Sequence, residues 1–459
     1  MTVKTPPPPS SESAGFNTRV FLTFLIPSLI GILMFLTPVT YKGNDTITIA
    51  VVVDLLRSPF EPWLMEILIT VIALSTLGSA YNILKKPDWA NSHPSLHAMC
   101  HSTPLWFMLR LIGLVYGLCV YFEAGPAPIW AADTGQAIFH DIGIPVLFIL
   151  TTACFFIPFL TDYGFMEFIG GLVKKPFGFL FNLPGRSAID ATASFVSASS
   201  VGLLITIKQY ENGFYSARES AAVATNFSVV SIPFALVVAG VAGLEHMFFT
   251  WYMVVIIACL VCALITIRIP PLSLIPDDYF PGVGKRIHED DDENGSVLGQ
   301  SVRDAMACAT NAPGPRKFLK TAWLSSLVVV FGVIAPAMAI ATTAAMVIFY
   351  TPVFDLVSMP VVYVLEIFNI PEAASAAPGF LVGFFDQFLP ALLAKGIESE
   401  MTRFILAGLS ICQLIYMAEV GVLILYSSLP LNFWQLLAIF IIRTIIVFPV
   451  FLIAGWLLF

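Results

Sequence analysis

Charge is scarce in this 459-residue sequence. Asp, Glu, Lys and Arg make up 11% of it, while 58% is hydrophobic and mean hydropathy is +0.87. A soluble domain carries roughly a quarter charged residues, so the scarcity excludes a soluble globular chain. Strand-like alternation is lacking as well. Barrel strands are ~10 residues of alternating polarity, whereas the apolar runs here are continuous and reach the ~20 residues that a bilayer-spanning helix needs. No small-residue cleavage site follows the first run, so a signal peptide is not expected, and the tail "MTVKTPPPPSSES" is expected to be disordered. No Ser-His-Asp grouping, P-loop or Gly-rich nucleotide motif appears, so an enzymatic reading has nothing to stand on. Six of the seven cysteines lie in or beside apolar runs and Cys308 in a polar loop, which does not suggest disulfides. Cys259 and Cys262 are read as helix packing rather than zinc ligands, since zinc would need two more.

What is there is an all-α integral membrane protein. Nine spanning helices are expected at roughly 18–39, 60–84, 104–123, 142–161, 216–242, 247–268, 320–350, 401–426 and 432–458. The stretch 47–60 is too short to cross and is expected to be interfacial. Lys and Arg set the orientation. They sit in the tail (Lys4, Arg19), at Lys85 and Lys86, at Lys174, Lys175 and Arg186, and throughout 268–320. They are missing from 124–141 and from 321–394. The N-terminus is therefore placed in the cytoplasm and, after nine crossings of the cell membrane, the C-terminus outside; Lys42, Arg57, Lys395 and Arg403 are the counter-signal. The net charge of −8 comes largely from "DDYF" (277–280) and "HEDDDEN" (288–294), read as a solvated loop.

A tetrapeptide recurs. "FNLP" at 181–184 ends an amphipathic stretch beginning at 164, and "FNIP" at 368–371 ends another beginning at 353. After each comes an apolar piece too short for a span and rich in small residues, 190–208 and 378–395. Two full helices then follow in each case. One helix, 320–350, lies between the units, and an odd number of crossings inverts the second relative to the first. The expected divisions are a tail (1–17), scaffold helices (18–163), a first repeat (164–268), an acidic loop (269–319), a linking helix (320–352) and a second, inverted repeat (353–459). Inverted repeats with paired interrupted segments point to alternating access around a midplane site.

The stretch "GRSAIDATASFVSASSVGLLITIK" followed by "ESAAVATNFSVVSIPF" resembles the Gate (nucleoside-recognition) domain of YjiH-like bacterial membrane proteins. The order of elements over 164–459 is similar to concentrative nucleoside transporters: interfacial helix, hairpin, two helices, linking helix, external helix, hairpin, two helices. The resemblance implies two re-entrant hairpins. The glutamates that nucleoside transporters carry near the hairpin tips have no match here; the nearest acids are Asp190 and Asp386. Gate domains also occur in spore-maturation and ferrous-iron transport proteins.

Polarity at depth supplies the candidate site. The first hairpin offers Ser194, Ser197, Ser199 and Ser200, the second Asp386 and Gln387. An acid in the membrane is expensive and functional by default. The fifth helix carries Asn226, Ser228 and Ser231 before Pro233, and a proline frees a carbonyl. Together these oxygens suit Na⁺, the one coupling ion read as a site; no other cofactor is expected. The eighth helix offers Gln413 but no proline, so a cation site is expected in the first repeat only. Glu419 and Arg443 read either as a mutual salt bridge or as groups for proton coupling and for a substrate carboxylate, which an arginine fork pairs in two places. His93, His97 and His101 share a helical face, but i and i+8 lie about 12 Å apart along it, and an interfacial helix is preferred to a metal site. The expected function is secondary transport of a small polar metabolite (nucleoside, dipeptide or organic acid) coupled to Na⁺ or H⁺. The alternative is a non-transport membrane assembly or sporulation-type factor. Expected partners are the lipid bilayer and a small-molecule substrate, with no nucleic acid; a homo-oligomer is left open.

Overall fold

In lipid, a continuous apolar run can satisfy its own backbone only as a helix. The computed structural model of the chain, which describes residues 17–41, 44–85, 104–185, 187–188, 191–192, 199–227, 232–284 and 296–459, is accordingly helical almost throughout. Seven helical stretches are long and apolar enough to cross a membrane: Thr18–Phe35, Thr48–Lys85, Pro104–Phe122, Ala127–Thr161, Glu245–Thr266, Pro315–Tyr350 and Phe433–Leu458. They account for seven of the nine expected spans. The other two, 216–242 and 401–426, are each interrupted, and those interruptions organise the second half of the molecule.

The scaffold is built first. Helix α1 (Thr18–Leu36) runs into a small hairpin of β1 (Pro38–Tyr41) and β2 (Asn44–Ile47), then α2 (Thr48–Arg57), α3 (Leu64–Lys85) and α4 (Pro104–Phe122). The segment expected to be a loop, 124–141, is mostly helical. It winds as a π-helix over Ala132–Gly143 and feeds α5 (Ile144–Phe156). Ile138, Phe139 and Ile142 are fully buried there and supply the reason for order. Expected residues 86–103, with the three histidines, lie outside the described residues.

The next helix, α6 (Phe165–Phe181), is the first amphipathic stretch of the repeat. The long acidic loop is not wholly solvated: α11 (Val297–Thr310) packs along α6. Gly164 and Gly171 allow this by placing bare backbone against Ala305 and Ser301. Burial raises the Glu167 carboxyl and pushes the Cys308 thiol up to about 12, so this seam is held by packing rather than by charge pairing. Helices α7 (Ser199–Glu211), α8 (Ala217–Asn226), α9 (Ile232–Val241) and α10 (Phe248–Thr266) complete the first unit. The 36-residue α12 (Pro315–Tyr350) packs against α3, α4 and α5 and joins scaffold to second unit. There follow α13 (Val353–Ile367), three short helices α14 (Ala373–Ala376), α15 (Gly379–Val382) and α16 (Leu389–Lys395), then α17 (Glu400–Cys412), α18 (Val420–Leu425) and α19 (Phe433–Leu458).

The recurring tetrapeptide has a physical meaning. Asn182 follows the last residue of α6 with φ 53°, and Asn369 follows α13 with φ 55°. Both adopt the left-handed conformation that ends a helix and turns its last carbonyls onto following amides. Asn182 N–H donates to Gly178 O at 2.9 Å; Asn369 and Ile370 donate to Glu366 O and Leu365 O, each at 3.0 Å. Asparagine tolerates this conformation and β-branched residues do not. Asn182→Val and Asn369→Val should each destabilise the protein by about 1–2 kcal/mol, whereas the glycine variants should match or exceed wild type. Thermal unfolding in detergent measures both; equal melting for Val and Gly variants would contradict the capping role.

Candidate functional site

The second unit contains a helical hairpin. α15 and α16 pack side by side, and the chain reverses between them over 383–388. Asp386 and Gln387 occupy that reversal and are buried, at 4% and 5% exposure. Asp386 stabilises the turn itself: its Oδ1 accepts the Phe388 N–H at 2.8 Å. Ser410 of α17 donates its hydroxyl to the Gln387 carbonyl.

Beside this turn α17 stops. The sequence predicts a continuous helix over 401–426, but Leu414 has φ 59° and helix resumes only at Val420. No proline is involved, so the cause is tertiary. Met417 N–H donates to Phe384 O at 2.8 Å and Ala418 N–H to Phe385 O at 3.0 Å. The hairpin's carbonyls thus satisfy the amides that the missing helical turn would have used. Gln413, at the break, donates Nε2 to Phe380 O and to Thr444 Oγ1, both at 2.9 Å. Gly383 permits the approach, since a Cβ there would meet the Gln413 amide oxygen.

The first unit breaks at the matching place. α8 ends at Asn226, with Phe227 off helical geometry, and α9 is described from Ile232, next to Pro233; 228–231 lie outside the described residues. Both breaks meet at Arg443 of α19. This guanidinium is fully buried. Its Nη1 donates to Asn226 Oδ1 at 2.7 Å and Thr225 O at 3.2 Å; its Nε and Nη2 fork onto Cys412 O at 3.0 and 2.7 Å. Thr266 Oγ1 also donates to Asn226 Oδ1, at 2.6 Å. The expected alternative of an Arg443–Glu419 salt bridge is therefore corrected: Arg443 binds the helix ends, and Glu419 accepts from Tyr416 OH at 3.2 Å. The break displaced Glu419 from the helical register in which the two had seemed to face one another.

Of the residues singled out by sequence, Asp386, Gln387, Gln413, Glu419, Asn226 and Arg443 come together around these two breaks; Glu419 lies within electrostatic reach of Asp386. Ser199 and Ser200 start α7, while Ser194, Ser197, Ser228 and Ser231 lie outside the described residues. Sequence reasoning missed Thr225, Thr266, Ser410, Cys412 and Thr444. Hydroxyls in otherwise apolar helices are the one signal that could have found four of them; Cys412 takes part only through its carbonyl. Among the described residues around these breaks, the side-chain oxygens of Gln387 and Gln413 are buried without a hydrogen-bond partner. Buried polar atoms are nearly always paired, so two such orphans beside one turn are a departure from the usual pattern.

Comparison with known proteins bears on the family. The family model described as Gate, nucleoside recognition, matches residues 144–245, from the start of α5 to just past α9. An uncharacterized protein of Alkalihalophilus pseudofirmus is 41% identical over 432 residues, covering 94% of this chain and 93% of the relative. The chain belongs to that family and carries a Gate domain. This Gate-domain protein also shares 11% identity with a solved structure titled "CNTnw in an inward-facing substrate-bound state", covering 95% of this chain and 97% of that one with a TM-score of 0.42; a likeness at that level carries no weight for the site.

If Asn226 serves chiefly to hold Arg443, Asn226→Ala should leave a buried charge short of a partner and cost about 1.5–3 kcal/mol. Asn226→Asp keeps the accepting oxygen and should retain most of the stability. Equal melting temperatures for the alanine variant and wild type would contradict this contact.

Proposed function

We propose that this protein is a secondary active transporter of a small polar metabolite, working by alternating access and driven by a Na⁺ or H⁺ gradient. The observation that carries the reading is the convergence of two broken helices and a helical hairpin on a buried polar site with two orphan acceptors. Interrupted backbone at membrane depth is tolerated only inside protein or along a wet cavity, and a ligand pathway is the usual reason to keep it. On this reading the chain crosses nine times, with the two broken helices as the fifth and eighth spans, and 378–395 enters and leaves the membrane from the outer side. The N-terminus is cytoplasmic.

The chemistry narrows the substrate. Orphan amide oxygens at Gln387 and Gln413 ask for N–H or O–H donors, and Asp386 beside them disfavours a second anion. A nucleoside meets those demands best, a dipeptide next, a fully ionised organic acid least. The nucleoside-recognition description of the matching family points the same way.

The hairpin is the element suited to move. Its outer end is fastened to the scaffold by the Lys395–Asp141 ion pair, and both partners are partly exposed. Such a pair contributes ~0–1 kcal/mol, weak enough to open at each cycle. Beside it lies a cavity of about 430 Å³ between α2, α5 and α9, which includes Asp54, Arg57, His140 and Glu245 in its lining. The two units are also joined at the same end: Arg403 Nη1 donates to Ala242 O at 3.1 Å, and His246 lies 2.7 Å from Glu400.

The test starts with a thermal-shift screen of nucleosides, dipeptides and organic acids on the purified protein, since a ligand that binds only the folded state stabilises it. Uptake of the hit into proteoliposomes follows, with Na⁺ and pH gradients imposed separately. Asp386→Asn should lose both the ligand shift and uptake while melting like wild type without ligand; Gln413→Ala, which also strips two buried hydrogen bonds, should lose both and melt lower. Retention of uptake in both variants would move the site elsewhere.

A further inference from the structure

We infer that Arg443 is a tethered cation that fills, permanently, the oxygen site between the two broken helices, so that no inorganic cation binds there. The reasoning starts from helix ends. The last carbonyls of a helix have no internal partners and carry a partial negative charge. α8 and α17 both end in the protein interior, at Asn226 and Cys412. Three neutral oxygens gather there: Thr225 O, Cys412 O and Asn226 Oδ1. Hard cations bind through neutral and charged oxygens of this kind, and the same trio would offer half of a sodium shell. In this protein the guanidinium of Arg443 donates to all three, at 2.7 to 3.2 Å, and no carboxylate is among its hydrogen-bond partners. The helix ends alone balance its charge. Asn226 Oδ1 also lies 2.6 Å from the Thr266 hydroxyl, which is shared with Cys262 O at 2.8 Å. An incoming Na⁺ would have to displace an arginine that cannot be deprotonated and cannot leave.

Asn226, one of three residues expected to hold Na⁺, is thereby committed to a fixed charge; Ser228 and Ser231 lie outside the described residues. A tethered cation holds both breaks in register whatever the external salt, and it cannot be carried across. If the protein is the transporter proposed above, the transported charge must then be handled by the acids of the second repeat, Asp386 and Glu419, which can take up and release a proton. Only that last consequence rests on the transport reading; the occupancy of the site does not.

The experiment needs no substrate. Wild-type protein is melted in NaCl, KCl and choline chloride at equal ionic strength, and the three melting temperatures should coincide. Arg443→Ala should melt lower, and low-millimolar guanidinium or methylguanidinium chloride should raise it toward wild type while leaving wild type unchanged. Should Arg443→Ala fail to fold, Arg443→Lys serves: its single ammonium cannot reproduce the fork, so it should melt lower than wild type yet stay indifferent to Na⁺. A saturable, Na⁺-specific rise in wild type that disappears in Asn226→Ala would overturn the inference. So would a folded Arg443→Ala that ignores guanidinium. Neither result bears on whether nucleosides are bound, and a failed ligand screen leaves the salt series standing.

Discussion

The second half of this molecule depends on one buried charge. Removing a guanidinium from water costs several kcal/mol, and Arg443 recovers that cost only because two helix ends present carbonyls to it at once. The dependence is mutual. Without the guanidinium, Thr225 O and Cys412 O would be unsatisfied at membrane depth, where no water replaces a lost donor. Each break is tolerable because the other exists, and α19 is the post on which both hang. The hairpin then finishes the job for the second break by lending Phe384 O and Phe385 O to Met417 and Ala418.

This arrangement separates what is fixed from what can move. α12, α3, α4 and α5 form a closely packed block; Gly113 of α4 sits so near the Ala335 carbonyl of α12 that no Cβ would fit. The breaks are fixed as well, by Arg443. The hairpin around Asp386 is buried against α17, held by backbone and side-chain bonds at its turn and by a half-exposed ion pair at its outer end. Polar atoms left unpaired, at Gln387 and Gln413, lie on the boundary between the two. A substrate that pairs them would bias one position of the hairpin over another, which is the differential contact that a ligand-driven conformational change requires.

Much of this was legible in the sequence, and the reasons are local. Continuous apolar runs gave seven spans because a helix is the only way to satisfy such backbone. FNLP and FNIP announced matching caps because left-handed backbone tolerates few residues, and both asparagines adopt it. Pro233 marked the first break. The second break was not legible: Leu414 takes positive φ under tertiary demand, from hairpin carbonyls and Arg443, and nothing in "SICQLIYMAE" forbids a helix. The same hidden break misdirected the pairing of Arg443 with Glu419. The π-helical entry to α5 was hidden too, since Gly135 and Pro-rich flanks read as loop while Ile138, Phe139 and Ile142 pack as core.

The central claim of the proposed reading is that the two units enter the membrane from opposite sides. It is tested by placing single cysteines, in a cysteine-free background, at Lys175 on α6 and at Glu366 on α13, both exposed. A membrane-impermeant maleimide applied to intact cells should label the cysteine at 366 and should reach the one at 175 only after the membrane is opened. Labelling of both from the same side would contradict the inverted repeat and, with it, the account built on it.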